Sequence, residues 1–219
     1  MSTLRQYKEG LIGKKLGMTQ VFNEDGKAEP VTVIQAGPNF VVQVKTEEKD
    51  GYKAVQLGFE PKKQQRLNKA ETGHFTNAQK GGFYHLKEIR CDIDALGWSE
   101  IGKELTVGEV FEKGQILDVQ GVTKGKGFQG VVRRFKSRGQ PASRGTHEMF
   151  RHIGSIGCRK FPGRVWKNQK MPGHMGHKQV TATNLKVVEV IPEKNVLLVK
   201  GAVPGPVNGL VVIRKAQKK

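Results

Sequence analysis

Positive charge is packed into one quarter of this chain, and that limits what the quarter can fold into. Residues 121–178 hold 14 Lys and Arg against a single acid, Glu148, a local charge of +13 in a 219-residue chain that carries +18. The other 161 residues set 24 cations against 19 acids. So repulsive a stretch resists compaction unless a polyanion neutralises it. It also holds 11 glycines and keeps neither the two-residue nor the 3.6-residue apolar period, so it cannot bury a core of its own.

Yet the stretch is not a plain tail, because Phe128, Phe135, Phe150, Phe161 and Trp166 are interleaved with its cations. Aromatic rings and arginine planes stack on unpaired bases, while lysine and arginine neutralise phosphates. A solvated linker has no use for large rings and would balance its charges. The stretch therefore reads as a nucleic-acid-binding insertion, mobile when free and ordered on its partner.

Phosphate ligands are expected among Lys124, Lys126, Arg133, Arg134, Lys136, Arg138, Arg144, Arg151, Arg159, Lys160, Arg164, Lys167, Lys170 and Lys178. Phe128, Phe150, Phe161 and Trp166 are the candidates for packing or stacking on RNA, although any of them could pin the loop to itself. His147, His152, His174 and His177 are expected to hydrogen-bond or stack on RNA.

No apolar run approaches the ~20 residues of a membrane span, so no membrane partner is expected. Residues 1–8, Met-Ser-Thr-Leu-Arg-Gln-Tyr-Lys, lack the apolar stretch of a secretory signal. Two cysteines, Cys91 and Cys158, far apart in sequence, argue against a disulfide framework and for a reducing cytoplasm.

Outside the basic stretch the pattern is β-rich. Residues 16–22, the turn Asn23-Glu-Asp-Gly26 and residues 30–36 read as strand, turn and strand. Residues 40–46 and 53–59 are further strands, and 61–79 a helix-and-loop excursion. Residues 82–92 and 101–119 return to strand-like composition. Residues 180–191, the turn Pro192-Glu-Lys-Asn195 and residues 196–200 form a hairpin, with a last strand at 210–214. Short strands separated by turn signals favour an antiparallel barrel over a helical bundle. The expected class is mainly β with some α: a barrel body with a long, basic, irregular loop inserted in it. Its expected parts are residues 1–120 (61–100 being richer in helix and loop), the insertion 121–178, and C-terminal strands over 179–219 that complete the barrel.

Three motifs point elsewhere. Gly125-Lys-Gly-Phe-Gln-Gly130 matches G-x-G-x-x-G, the dinucleotide fingerprint. That motif needs a helix long enough for a βαβ crossover, whereas Gly139 and Pro141 follow almost at once. A loop whose amides and lysines meet phosphates fits better. Cys158 with scattered histidines lacks the paired ligand spacing of structural zinc, and the surrounding charge opposes a cation. As a nucleophile, Cys158 has flanking Arg159 and Lys160 but no base with an orienting partner. No enzyme activity, cofactor, metal or small-molecule substrate is expected. A basic enzyme using Gly125–Gly130 for a nucleotide is the alternative. A DNA-compacting protein is disfavoured, because no helix-turn-helix, zinc finger or basic zipper is visible.

Four blocks resemble the bacterial ribosomal protein L3 family, in family order over essentially the whole chain. They are Gly10-Leu-Ile-Gly-Lys-Lys-Leu-Gly-Met-Thr-Gln-Val-Phe22 and Gly121-Val-Thr-Lys-Gly-Lys-Gly-Phe-Gln-Gly130. The third is Gly154-Ser-Ile-Gly157 with Pro162-Gly163 and Lys170-Met-Pro-Gly-His-Met-Gly176, and the fourth is Asn195-Val-Leu-Leu-Val-Lys-Gly-Ala-Val-Pro-Gly205. Lys14 and Lys15, in the first block, join the expected RNA ligands. The resemblance implies a two-part body with a barrel like that of translation factors, and an extension threading large-subunit (23S-type) rRNA toward the peptidyl transferase centre. It implies a structural role, early in subunit assembly, beside ribosomal proteins such as L14 and L19. The family pattern is left at Cys158-Arg-Lys-Phe161, where Lys160 stands in place of a glutamine that many relatives can carry methylated.

Overall fold

The computed structural model describes residues 9–78 and 81–216; the opening octapeptide and Gln79 lie outside them. The chain divides into two units, a body of Met1–Val122 with Gln179–Lys219 and a basic unit of Thr123–Lys178.

In the body, β1 (Gly10–Phe22) and β2 (Ala28–Gln35) form a hairpin. Its turn is closed by the Gly26 amide donating to the Asn23 carbonyl at 2.8 Å, with Gly26 at φ 72°. Next come β3 (Asn39–Lys45), β4 (Ala54–Lys62), β5 (Gly82–Ile89) and the two-residue β6 (Glu104–Leu105). These build a four-stranded sheet in the order β5-β4-β3-β6. β7 (Ile116–Val122) leads into the basic unit, which holds the two-residue strands β8 (Phe128–Gln129) and β9 (Gly173–His174). The chain re-enters the body as β10 (Gln179–Ile191) and ends in β11 (Val196–Lys200) and β12 (Leu210–Lys215).

Six strands close a barrel in the order β1-β12-β7-β10-β11-β2, with antiparallel pairing throughout. The antiparallel barrel expected from the strand pattern is therefore present. The last residue of β7 and the first of β10 pair, Val122 opposite Gln179, so the strands flanking the basic unit are neighbours in one ladder. Valine, isoleucine and leucine dominate the buried positions, as suits a pleated surface packed on one face. Leu11, Ile12, Ile34, Leu117, Leu197 and Ile213 are wholly buried in a core shared with Leu57, Phe59 and Phe111 from outside the barrel. Each such side chain contributes roughly 1.5–3 kcal/mol of transfer free energy.

The amide of Asn39 ties the barrel to the second sheet. Its Nδ2 donates to the carbonyls of Ile12 at 3.0 Å and Ala36 at 2.9 Å, and its Oδ1 accepts from the Ile12 amide at 3.3 Å. A fully buried amide satisfied on both ends fixes register, because an unpaired one would cost its desolvation. A satellite cluster of Val42, Phe75, Ala78 and Phe83, with Phe40, Leu67 and Leu86 against it, holds the excursion between β4 and β5. Its helix, Lys69–Phe75, opens with a capping box in which Asn68 and Glu71 satisfy each other's amides.

Two expectations need correction. The first strand does not begin at residue 16 but at Gly10, because Gly10 to Lys14 pair with residues 210–214 at the other end of the chain. Residues 101–119 are not continuous strand: between β6 and β7, Val107–Val110 form a helical turn. Val107 and Val110, three apart, both reach the core that way, which a strand would not allow.

Candidate nucleic-acid interface

The basic unit starts and ends on one clamp. The Thr123 amide donates to the Lys178 carbonyl at 2.9 Å, and the Lys178 amide donates to the Thr123 Oγ1 at 3.2 Å. The ladder continues through His177 to Thr123, Lys126 to Met175 and Met175 to Gly127, then through Phe128 opposite His174. Gly176 sits at φ 76°, where a Cβ would run into the Lys124 carbonyl oxygen. The two Gly-rich motifs thus form an antiparallel neck.

From the neck rises a five-residue helix, Val131–Phe135, stopped by Lys136 in the left-handed region at φ 56°. Arg134 is pinned: its Nη1 donates to the Met171 carbonyl at 2.7 Å and its guanidinium lies 4.9 Å from the Phe135 ring centroid. The helix is too short for the crossover that a dinucleotide fingerprint requires.

Beyond Lys136 the backbone is largely irregular, with bends, turns and a short 3-10 helix at His147–Arg151. The Gln140 amide donates to the Phe150 carbonyl at 3.0 Å, and the Gln169 amide to that of Trp166 at 3.3 Å. Arg164 lies over the Trp166 ring at 5.5 Å.

Every expected ligand in this unit is exposed except Arg134, which is half-buried. Phe128 is 76% exposed, Phe161 83% and Trp166 57%, so large rings and unneutralised cations share one surface. Glu148 is the sole carboxylate within the unit. Such a surface offers π-faces and point charges together, which suits folded single-stranded regions of a polyanion. Among the described residues, no three His, Cys, Asp or Glu side chains gather as a metal ligand set, and no helix is long and apolar enough to cross a membrane.

Lys14 and Lys15 lie in the body, on β1. The Lys14 ammonium pairs with Glu60 at 2.7 Å, and His85 approaches the same carboxylate at 3.6 Å. Lys15 is 8% exposed, and its ammonium donates to the Val203 carbonyl at 2.9 Å and the Gly205 carbonyl at 3.3 Å. It neutralises carbonyl dipoles at the Val203–Gly205 turn. The sequence pattern also passed over a cationic cluster in the body, where Arg66 donates from Nη1 to the Tyr84 hydroxyl at 2.8 Å. Its signal was the run of Lys62, Lys63, Arg66 and Lys69 with Glu71 alone against it.

Comparison with known proteins follows the same line. The family model described as ribosomal protein L3 matches residues 5–195. Large ribosomal subunit protein uL3 of Syntrophotalea carbinolica is 54% identical over 212 residues, covering 96% of this chain and 99% of that protein.

Proposed function

Since the chain belongs to the ribosomal protein L3 family, we propose that it is a structural, non-catalytic constituent of the large ribosomal subunit, in the cytoplasm. The observation that carries the reading is the basic unit: +13 of local charge and exposed rings on a hydrogen-bonded neck. Its exposed lysines and arginines neutralise rRNA phosphates, Phe128, Phe150, Phe161 and Trp166 pack on or between bases, and the four histidines add hydrogen bonds. Arg134 braces the neck from inside, and Lys15 braces the body.

In this reading Thr123–Lys178 threads between large-subunit (23S-type) rRNA helices toward the peptidyl transferase centre, while the barrel rests on the RNA surface. Neutralising several crossing backbones at once favours compact rRNA, which is the physical content of a role early in subunit assembly. The RNA supplies the chemistry; the protein needs neither cofactor nor small-molecule substrate. Ribosomal proteins L14 and L19 are its proposed protein neighbours.

Sedimentation of the tagged chain from a bacterial lysate through gradients of rising salt tests this. Co-migration with large subunits up to salts that strip ribosomal proteins is expected. Migration as a free species at low salt would overturn the assignment and send attention to nucleotide binding at Gly125–Gly130.

A further inference from the structure

Outside the basic unit the chain is closer to electrical balance, but locally cationic stretches remain, and one of them lies between β4 and β5. Residues 62–74 hold four cations against one acid, while the rest of the body sets 20 cations against 18 acids. Lys62 is answered within the cluster, since its ammonium contacts both oxygens of Glu71, at 2.8 and 3.1 Å. Lys63, Arg66 and Lys69 are exposed and have no carboxylate partner among the described residues.

Tyr84, a large ring left 46% exposed on β5, stands beside Arg66 and Lys62. Arg66 holds its hydroxyl at 2.8 Å, and the Lys62 ammonium lies 5.9 Å from the ring centroid. The ring is therefore oriented from two sides by cations while much of its surface faces outward. The platform beneath is firm. Phe83, next to Tyr84, stacks on Phe40 at 5.4 Å and meets Phe75 edge-on at 5.8 Å. At Gly82 there is no room for a Cβ against Leu67, so the segment bearing Arg66 closes directly onto β5.

We infer that the body carries a second RNA-docking face, centred on Tyr84 and Arg66, with the exposed Lys63 and Lys69 of the same segment adding charge. An oriented aromatic face beside unanswered cations is the pairing that binds a base and its flanking phosphates. The inference rests on the reading of the chain as an rRNA-binding protein and extends it to a part of the sheet that the family resemblance left without roles. On this account the four-stranded sheet contacts RNA on its own, independently of the basic unit.

The test is hydroxyl-radical footprinting of the full chain on protein-free large-subunit rRNA, with affinities measured across a salt series. Two variants are compared with the parent: Lys63→Ala/Arg66→Ala/Lys69→Ala, which removes the cations, and Tyr84→Ala, which removes the ring. All four positions are exposed, and thermal melting checks that both variants fold. The triple variant is expected to bind about tenfold more weakly, with a salt slope smaller by roughly one per cation removed. Tyr84→Ala should weaken binding with the slope unchanged. Both should lose the same discrete subset of protected nucleotides and keep the others. An unchanged footprint, or uniform weakening with no local loss, would overturn the second face and leave the proposed function standing. If the parent itself protects no rRNA, the proposed function falls and the second face with it.

Discussion

The two units use lysine in opposite ways. In the body, ammonium groups meet partners within the chain: Lys14 on Glu60, Lys45 on Glu88, Lys62 on Glu71, Lys200 on Glu29 and Lys215 on Glu9, with Lys15 on backbone carbonyls. In the basic unit 14 cations share one carboxylate. The body buries most of its large apolar side chains; the basic unit leaves its large rings exposed. One unit packs on itself, and the other leaves its charge and its rings open at the surface. The contrast is one of composition, since a buried core needs an apolar period and residues 121–178 have none.

The thiols should show this contrast most sharply. Cys91 is wholly buried, and burial pushes its thiol up to about 11, whereas Cys158 is exposed. With a thiol reagent at neutral pH, Cys158 should label at once. Cys91 should be slower by roughly a thousandfold or more, since it reacts only when the body opens. Mass spectrometry of native and denatured protein reads one label and then two; two fast labels in the native state would break the contrast.

Phenylalanine gives the next largest effect. Phe111→Ala in the core, where Phe111 is 1% exposed, should cost about 3–5 kcal/mol by urea denaturation. Phe161→Ala should change stability by no more than about 0.5 kcal/mol, yet weaken rRNA binding by about 1–3 kcal/mol where the ring stacks on a base.

Within the basic unit, the neck and the rest should differ too. Gly176→Ala puts a side chain at positive φ against the Lys124 carbonyl, a strain of order 1–3 kcal/mol. Hydrogen exchange at the Lys126 and Met175 amides should accelerate. Gly157→Ala, whose Cβ would find its nearest neighbour 3.9 Å away, should leave them unchanged.

The smallest effect is electrostatic and belongs to the body. The Lys45 ammonium, hydrogen-bonded to Glu88, holds that carboxyl below its ordinary 4.5 against the opposing cost of burial. Stability from the pair is therefore full above the unfolded carboxyl value and is lost as pH falls through the lower folded one. Glu88→Gln should flatten the acid limb of a stability-against-pH curve slightly and leave neutral pH nearly untouched.

Much of the barrel was legible because its local signals agree. Pro192 to Asn195 between two valine-rich runs is a hairpin by turn chemistry alone, and the structure closes it with a 3-10 turn. The pairing of Gly10 to Lys14 with the chain's other end was not legible, since no local period records a partner some 200 residues away. Val107–Val110 misled for a related reason: a short apolar run suits either strand or helical turn until the core decides. In the basic unit the residue types were readable but the neck was not. It depends on cross-strand hydrogen bonds between Gly-rich segments, and such segments carry no apolar alternation to betray a ladder. The carbonyl contacts of Lys15 were not legible either, since they join β1 to a turn some 190 residues away.

The central claim is that the body folds alone while Thr123–Lys178 supplies most of the hold on rRNA. Because Val122 and Gln179 are already partners in one ladder, an Asn-Gly turn can join them and replace the basic unit with a tight hairpin. Thermal melting and rRNA affinity would be measured on this variant beside the full chain at one physiological salt. A cooperative melt within a few degrees of the parent's is expected, with an affinity lower by roughly a thousandfold, because most of the phosphate-neutralising charge is gone. A variant that fails to fold, or one that binds rRNA as tightly as the parent, would contradict the central claim.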